Sequence, residues 1–237
     1  MKTPARSLPP PVSVSLSASV RDYWLERVAQ VQHDLYAGVT MKKFPEDLRV
    51  YEHLLWISRP DTVIEIGASS GGSALWFRDR LRTLAAYGRI DEPRVVTVDI
   101  RADRARRRLE EADPGYAETI AVIDGDVCDP GLAREVEREL RPGARCLVVE
   151  DSAHTYDTTE AALNNYSRFV HPGGFFIVED GCVDIDSMRL SDRWPRGVLP
   201  AIHRWLESSA GSRFEVRRDL ECYGISCHPM GFLQRTF

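Results

Sequence analysis

Between residues 62 and 180 the chain alternates five short apolar runs with amphipathic stretches, and few folds accept that alternation. The runs are 62–67 (TVIEIG), 94–100 (RVVTVDI), 119–126 (TIAVIDGD), 145–151 (RCLVVED) and 173–180 (GGFFIVED). They are too short for buried helices and rich in β-branched residues. A strand that is apolar on consecutive positions is buried on both faces, as in a parallel sheet. The intervening segments, 72–88, 102–112, 130–141 and 158–170, have helical spacing. Gly88 stops the first, Pro130 opens the third, and Thr158 is the expected N-cap of the fourth, with Glu160 nearby. An α/β fold follows: a parallel sheet covered by helices on both sides.

The flanks read differently. Residues 1–20, rich in Pro and Ser and without an apolar signal core, are expected to be a flexible or partner-draped arm. Residues 21–60 form an expected helical cap. In it Trp24, Leu25, Val28, Val31 and Leu35 share one stripe over 21–37, and Leu48, Tyr51, Leu54, Leu55 and Ile57 share another between Pro45 and Pro60. The main domain is expected over 61–237. Within it the polar stretch 181–197 is longer than an ordinary connection and is a candidate lid. A helix near 198–208 and two antiparallel strands turning near Tyr223 and Gly224 complete the chain.

Composition narrows the function. At 237 residues the chain suits one large domain with extensions. A net charge of −5 gives no reason to expect nucleic acid or an anionic membrane as partner, and the basic run Arg104 to Arg108 reads as a solvated helix face. No stretch is long enough to span a bilayer. The five cysteines include no CxxC pair, so reduced thiols and a cytoplasmic location are expected.

In an open parallel sheet ligands bind beyond the carboxyl ends of the strands. The first strand runs into EIGASSGG, where Gly67, Gly71 and Gly72 let backbone approach a ligand. The spacing is not GxGxxG, and the turn lacks the lysine of a P-loop, so no diphosphate cradle is present. Asp99 ends the second strand, placed for ribose hydroxyls, and Asp126 follows the third, placed for an adenine amino group. Together they suit a nucleoside without a diphosphate, the pattern of S-adenosylmethionine sites. The fourth and fifth strands end in Asp151 and in Glu179 and Asp180. Like charges brought together raise one another's pKa, and a divalent cation relieves the conflict: Mg²⁺ first, with Mn²⁺ or Ca²⁺ as alternatives. The competing reading pairs these acids with Lys42, Lys43 or Arg189. His154 sits where an imidazole could act as general base. His33, His53, His171, His203 and His228 read as structural.

The segments 42–56 (KKFPEDLRVYEHLLW), 63–77 (VIEIGASSGGSALWF), 95–100 (VVTVDI), 151–157 (DSAHTYD), 171–180 (HPGGFFIVED) and 228–235 (HPMGFLQR) carry a further signal. In them the chain resembles the cephalosporin hydroxylase/rhamnosyl O-methyltransferase group and, beyond it, metal-dependent macrolide-sugar O-methyltransferases. The resemblance implies a class I methyltransferase sheet, Rossmann-like, in the order 3-2-1-4-5-7-6 with an antiparallel last strand. It implies Mg²⁺ on Asp151, Glu179 and Asp180, with His154 as base; of the adjacent acids Glu150 and Asp151, the second is favoured for the metal. Cofactor contacts are implied at Glu65, Gly67, Ala68, Ser70, Gly71, Gly72, Ser73, Asp99, Ile100, Asp126 and Val127. A hydroxylase is not supported, since His154 is followed by Thr155 and Tyr156 rather than by the acid of an iron site. The expected activity is methylation of a sugar hydroxyl on a glycosylated or polyhydroxylated small molecule, in a homo-oligomer. The alternatives are a catechol-type acceptor, or a non-catalytic cofactor-binding partner of an oxygenase.

Overall fold

A computed structural model describes residues 17–237. Residues 1–16, most of the expected arm, lie outside the described residues. Helix α1 (Val20–Val31) starts at Ser19, whose hydroxyl oxygen accepts the Asp22 N–H. It ends before the helical spacing of 21–37 does. Leu35–Tyr36 (β1) and Val39–Thr40 (β2) pair as a small hairpin turning through Ala37 and Gly38, both at positive φ. Leu35 therefore continues the apolar stripe by coincidence, on a strand. Helix α2 (Pro45–Ser58) follows, with Pro at its first position and Arg59 in the left-handed conformation at its end.

The remaining elements are β3 (Thr62–Ile66), α3 (Gly72–Ala86), β4 (Arg94–Asp99), α4 (Ala102–Ala112), β5 (Ile120–Asp124), α5 (Leu132–Arg138), β6 (Cys146–Glu150), α6 (Tyr156–Tyr166), β7 (Phe175–Val178), α7 (Val198–Leu206), β8 (Phe214–Val216) and β9 (Phe232–Arg235). Seven strands make the main sheet in the order β5-β4-β3-β6-β7-β9-β8. Counted along the chain from β3, this is the expected 3-2-1-4-5-7-6. Strands β3 to β7 run parallel, and β9 is antiparallel to both of its neighbours.

Successive strand residues face opposite layers. Val63, Val95, Leu147, Val149, Phe175 and Ile177 meet Tyr51, Leu54 and Leu55 of α2 and Leu75, Phe77 and Leu81 of α3. Ile64, Val96, Val148, Phe176 and Val178 meet Val136 of α5, Leu163 of α6 and Ile202 and Trp205 of α7. Helix α2 is thus part of the core. Helix α1 builds a smaller cluster, in which Trp24, Val28 and Val31 pack with Phe44, Cys182 and Cys227.

One local expectation changes. Helix α6 is capped by Thr155 rather than Thr158, which sits at the third helical position and returns a reciprocal bond to the cap. Strands β8 and β9 pair antiparallel as expected, joined by a long connection that contains a 3-10 turn (Arg218–Leu220). The 181–197 segment has internal order: two 3-10 turns, Gly181–Asp184 and Asp186–Met188, wrap the buried Arg189. Its guanidinium donates to the carbonyls of Val183, Asp192, Trp194 and Pro195. Among the described residues no helix is long and apolar enough to cross a membrane, and all five cysteines are free.

Candidate functional site

Two cavities open side by side at the carboxyl ends of the parallel strands, and Gly67, Ser69, Asp151 and Ser152 line both. The register of the sheet explains the meeting. Val98 accepts the Gly67 N–H at 2.8 Å, Ile66 accepts the Asp151 N–H at 2.8 Å, and Glu150 accepts the Glu179 N–H at 2.9 Å, so the tips of β3, β4, β6 and β7 form one ledge. Gly67 is required where the turn after β3 presses on the tip of β6. Its φ is +107°, and a Cβ there would lie 1.9 Å from the Asp151 carbonyl oxygen.

The larger cavity, about 610 Å³, is lined by Gly67, Asp99, Ile100, Asp126 and Val127. The Asp99 carboxylate accepts the N–H of Ser69 and of Arg101, each at 2.8 Å, which ties the turn after β3 to the tip of β4. Asp126 accepts the Cys128 N–H at 2.9 Å. Not all the expected cofactor residues gather here. Ala68 and Ser73 line only the smaller cavity, and Glu65, Ser70, Gly71 and Gly72 line neither. Gly71 and Gly72 serve packing: a Cβ on Gly71 would meet Leu109, and one on Gly72 would lie 2.4 Å from the Thr40 carbonyl oxygen. Glu65 is fully buried in β3, where it accepts the Thr97 hydroxyl at 2.5 Å, and burial pushes its carboxyl up to about 7.

The smaller cavity, about 330 Å³, holds the charges. Asp151, His154, Glu179 and Asp180 all line it, whereas Glu150 lies sealed beneath, held by Ser152 and Thr159. His154 Nε2 is 3.4 Å from Asp180 Oδ2 and 3.8 Å from Asp151 Oδ1. His154 and Asp180 both adopt left-handed backbone, at φ of 56° and 57°, which aims their side chains at one another from separate strand tips. Non-glycine residues at such angles concentrate at functional sites. Burial alone would push the His154 imidazole down, but Asp180, Asp151, Glu150 and Glu179 together hold it above its ordinary value.

Lys43, a competing partner for the strand-end acids, lies among them. Its buried ammonium donates to Asp151 Oδ2 at 2.9 Å and to Glu179 Oε1 at 2.6 Å. Burial works against that charge, yet Asp151, Glu179 and Glu65 outweigh it and hold the amine protonated. Tyr51 also donates to Glu179 Oε1, at 2.5 Å. His228, expected to be merely structural, lines the same cavity: its Nδ1 accepts the Asp180 N–H at 3.1 Å, and its Nε2 lies 4.0 Å from Glu179 Oε2. The segments 42–56 and 228–235 were already notable for resemblance, and that was the available signal for Lys43, Tyr51 and His228.

The donor set suits a divalent cation. One oxygen each of Asp151 and Asp180 lies within 4.8 Å of the other and of a His154 nitrogen; Glu179, Asp180 and His228 form a second such group. Three carboxylates face one lysine, so the cluster stays anionic unless a further cation joins it. Glu179 keeps only Oε2 for that purpose, since Oε1 is taken by Lys43 and Tyr51.

The family model described as rhamnosyl O-methyltransferase/CmcI matches residues 29–236. A rhamnosyl O-methyltransferase of Mycobacterium tuberculosis is 26% identical over 205 residues, covering 85% of this chain and 78% of that one. Among solved structures, a CmcI described with magnesium and SAM superposes with a TM-score of 0.55 at 21% identity, covering 87% of this chain and 78% of that one. The O-methyltransferase TomG of Streptomyces achromogenes, in complex with SAM, gives 0.53 at 20% identity, covering 90% of each chain. At these identities the solved structures speak for the fold.

Proposed function

The chain belongs to the rhamnosyl O-methyltransferase/CmcI family, and from that premise we propose that it is a Mg²⁺-dependent S-adenosylmethionine O-methyltransferase acting on a sugar hydroxyl of a natural product. The observation that carries the reading is the shared wall between the cavities. A nucleoside held along Asp99 and Asp126 would project its sulfonium across Gly67, toward the carboxylates and His154 of the neighbouring cavity. The relatives named rhamnosyl O-methyltransferases and the CmcI structure with magnesium and SAM support acceptor class and cofactors.

Asp151 and Asp180 would hold the cation, with Glu179 contributing Oε2. Bound there, it supplies Lewis acidity that makes a neighbouring hydroxyl easier to deprotonate. Lys43 and Tyr51 fix Glu179, and Lys43 fixes Asp151, so both acids enter the reaction already oriented. In methyl transfer the sulfur–methyl bond breaks as the oxygen–methyl bond forms, and the hydroxyl proton goes to His154 Nε2. Burial alone would lower His154, but Asp180, Asp151, Glu150 and Glu179 raise it and so make the imidazole a stronger proton acceptor. The roof over this cavity joins α1 to the 181–197 segment, with Trp24 Nε1 donating to the Met188 carbonyl at 2.6 Å. We read that segment as the lid that excludes water.

The test is transfer of a labelled methyl group from S-adenosylmethionine to a panel of glycosides and catechols. Transfer is expected on glycosides, lost with EDTA and restored by Mg²⁺. His154→Ala should cost about 100- to 10,000-fold in turnover, and Asp180→Asn should lose the Mg²⁺-restored activity. Full, EDTA-resistant transfer by Asp180→Asn would sink the mechanism.

A further inference from the structure

Cys182 and Cys227 also line the smaller cavity, and the chemistry proposed above uses neither. They stand 45 residues apart in the chain (227 − 182), yet Cys227 accepts the Cys182 N–H through its carbonyl at 3.1 Å. Both are almost solvent-free, at 2% and 5% exposure, and both belong to the apolar cluster that includes Trp24 and Phe44. The two sulfurs and one Asp180 oxygen all lie within 4.8 Å of one another. Zinc bonds of about 2.3 Å to sulfur and about 2.0–2.2 Å to carboxylate oxygen nearly span that spread, and small side-chain movements close the rest.

We propose that Asp180, Cys182 and Cys227 form a second cation site, selective for a thiophilic divalent ion of the zinc class. Two thiolates are soft donors, which hard Mg²⁺ does not seek and Zn²⁺ does. Binding releases one proton from each thiol to solvent, and Asp180 contributes a carboxylate oxygen. Three protein donors leave the fourth position facing the cavity, the arrangement of an open rather than a purely structural zinc site. Asp180 belongs to both donor sets, so one ion excludes the other. Resting on the proposed function, this makes Zn²⁺ an inhibitor competitive with Mg²⁺.

The binding itself is tested without cofactor or acceptor, so its failure stays separate from failure of the methyltransferase reading. Co²⁺ is titrated into the metal-free chain, reduced by a phosphine, with all five thiols verified by denatured thiol count. A thiolate-to-cobalt charge-transfer band is expected, with tetrahedral visible bands, saturating at one equivalent. Cys182→Ser and Cys227→Ser should each weaken the charge-transfer band and the double variant should lose it, whereas Cys128→Ser and Cys222→Ser keep it in full. Asp180→Asn leaves both thiols in place and should retain a charge-transfer band while losing one-equivalent saturation. That variant and the unmodified chain keep the test decisive if a serine variant fails to fold. Absence of any thiolate band in the unmodified chain, or its undiminished intensity in both serine variants, overturns the proposal.

Discussion

Lys43 places one ammonium between two acids that come from adjacent strand tips. Removing a single partner of a buried ion pair costs about 3–5 kcal/mol, because the remaining charge is left without compensation. Lys43→Met should therefore lower the melting temperature, with Asp151 and Glu179 facing one another unshielded. A divalent cation would supply the missing charge, so the variant should gain more from Mg²⁺ than the unmodified chain does. Thermal melts of both proteins with and without Mg²⁺ measure this, and equal gains would show that Lys43 and the cation do not share these carboxylates. His228 teaches the same lesson about reading single residues. A lone histidine far along the chain gives no sign of its surroundings, and its place beside Asp180 arises only because β9 returns antiparallel next to β7.

Elements were legible where one physical rule dominates. Continuous apolar runs mark strands covered on both faces, so the five parallel strands and their partners stood out, along with the acids at their tips. Rules that compete were harder to read. The spacing through Leu35 suits a helix, but the left-handed turn at Ala37 and Gly38 favours a hairpin, whose Thr40 carbonyl then packs on Gly72. Thr155 and Thr158 are both acceptable caps, and only the entry angle of the chain decides between them. The polar stretch after β7 looked like loop because its order is built from side-chain bonds to backbone. Asp184 is the clearest case: its carboxylate accepts the N–H of Gly197 at 2.8 Å and of Leu199 at 2.7 Å, capping α7 from 13 residues away. Loss of a helix cap costs about 0.5–2 kcal/mol, so Asp184→Ala should destabilise by that amount. It should also raise amide exchange across 181–199 before the sheet responds. Hydrogen exchange by mass spectrometry distinguishes this from a uniform loss, which would mean that the segment and α7 unfold with the core.

At the scale of the whole molecule, the sheet supports the site from below at an electrostatic cost. Glu65 lies fully buried near the carboxyl end of β3, and burial holds its carboxyl up to about 7 against an ordinary value of 4.5. Below about 4.5 the folded and unfolded chains both keep that proton. Between about 4.5 and about 7 the unfolded chain has released it while the folded chain has not. The native state then binds more protons, and stability falls as pH rises through that window. Above about 7 both forms are ionised and the loss is complete. A single group contributes at most about 1.4 kcal/mol per pH unit to such a slope. Glu65→Gln keeps the size of the side chain and an oxygen for the Thr97 hydroxyl, and it has no proton to release. This variant should melt higher than the unmodified chain at pH 8, and the difference should shrink steadily as pH falls toward 4.5. Melting profiles of the two proteins that run parallel across that range would show that Glu65 is ionised throughout, with Lys43 as its effective counter-ion.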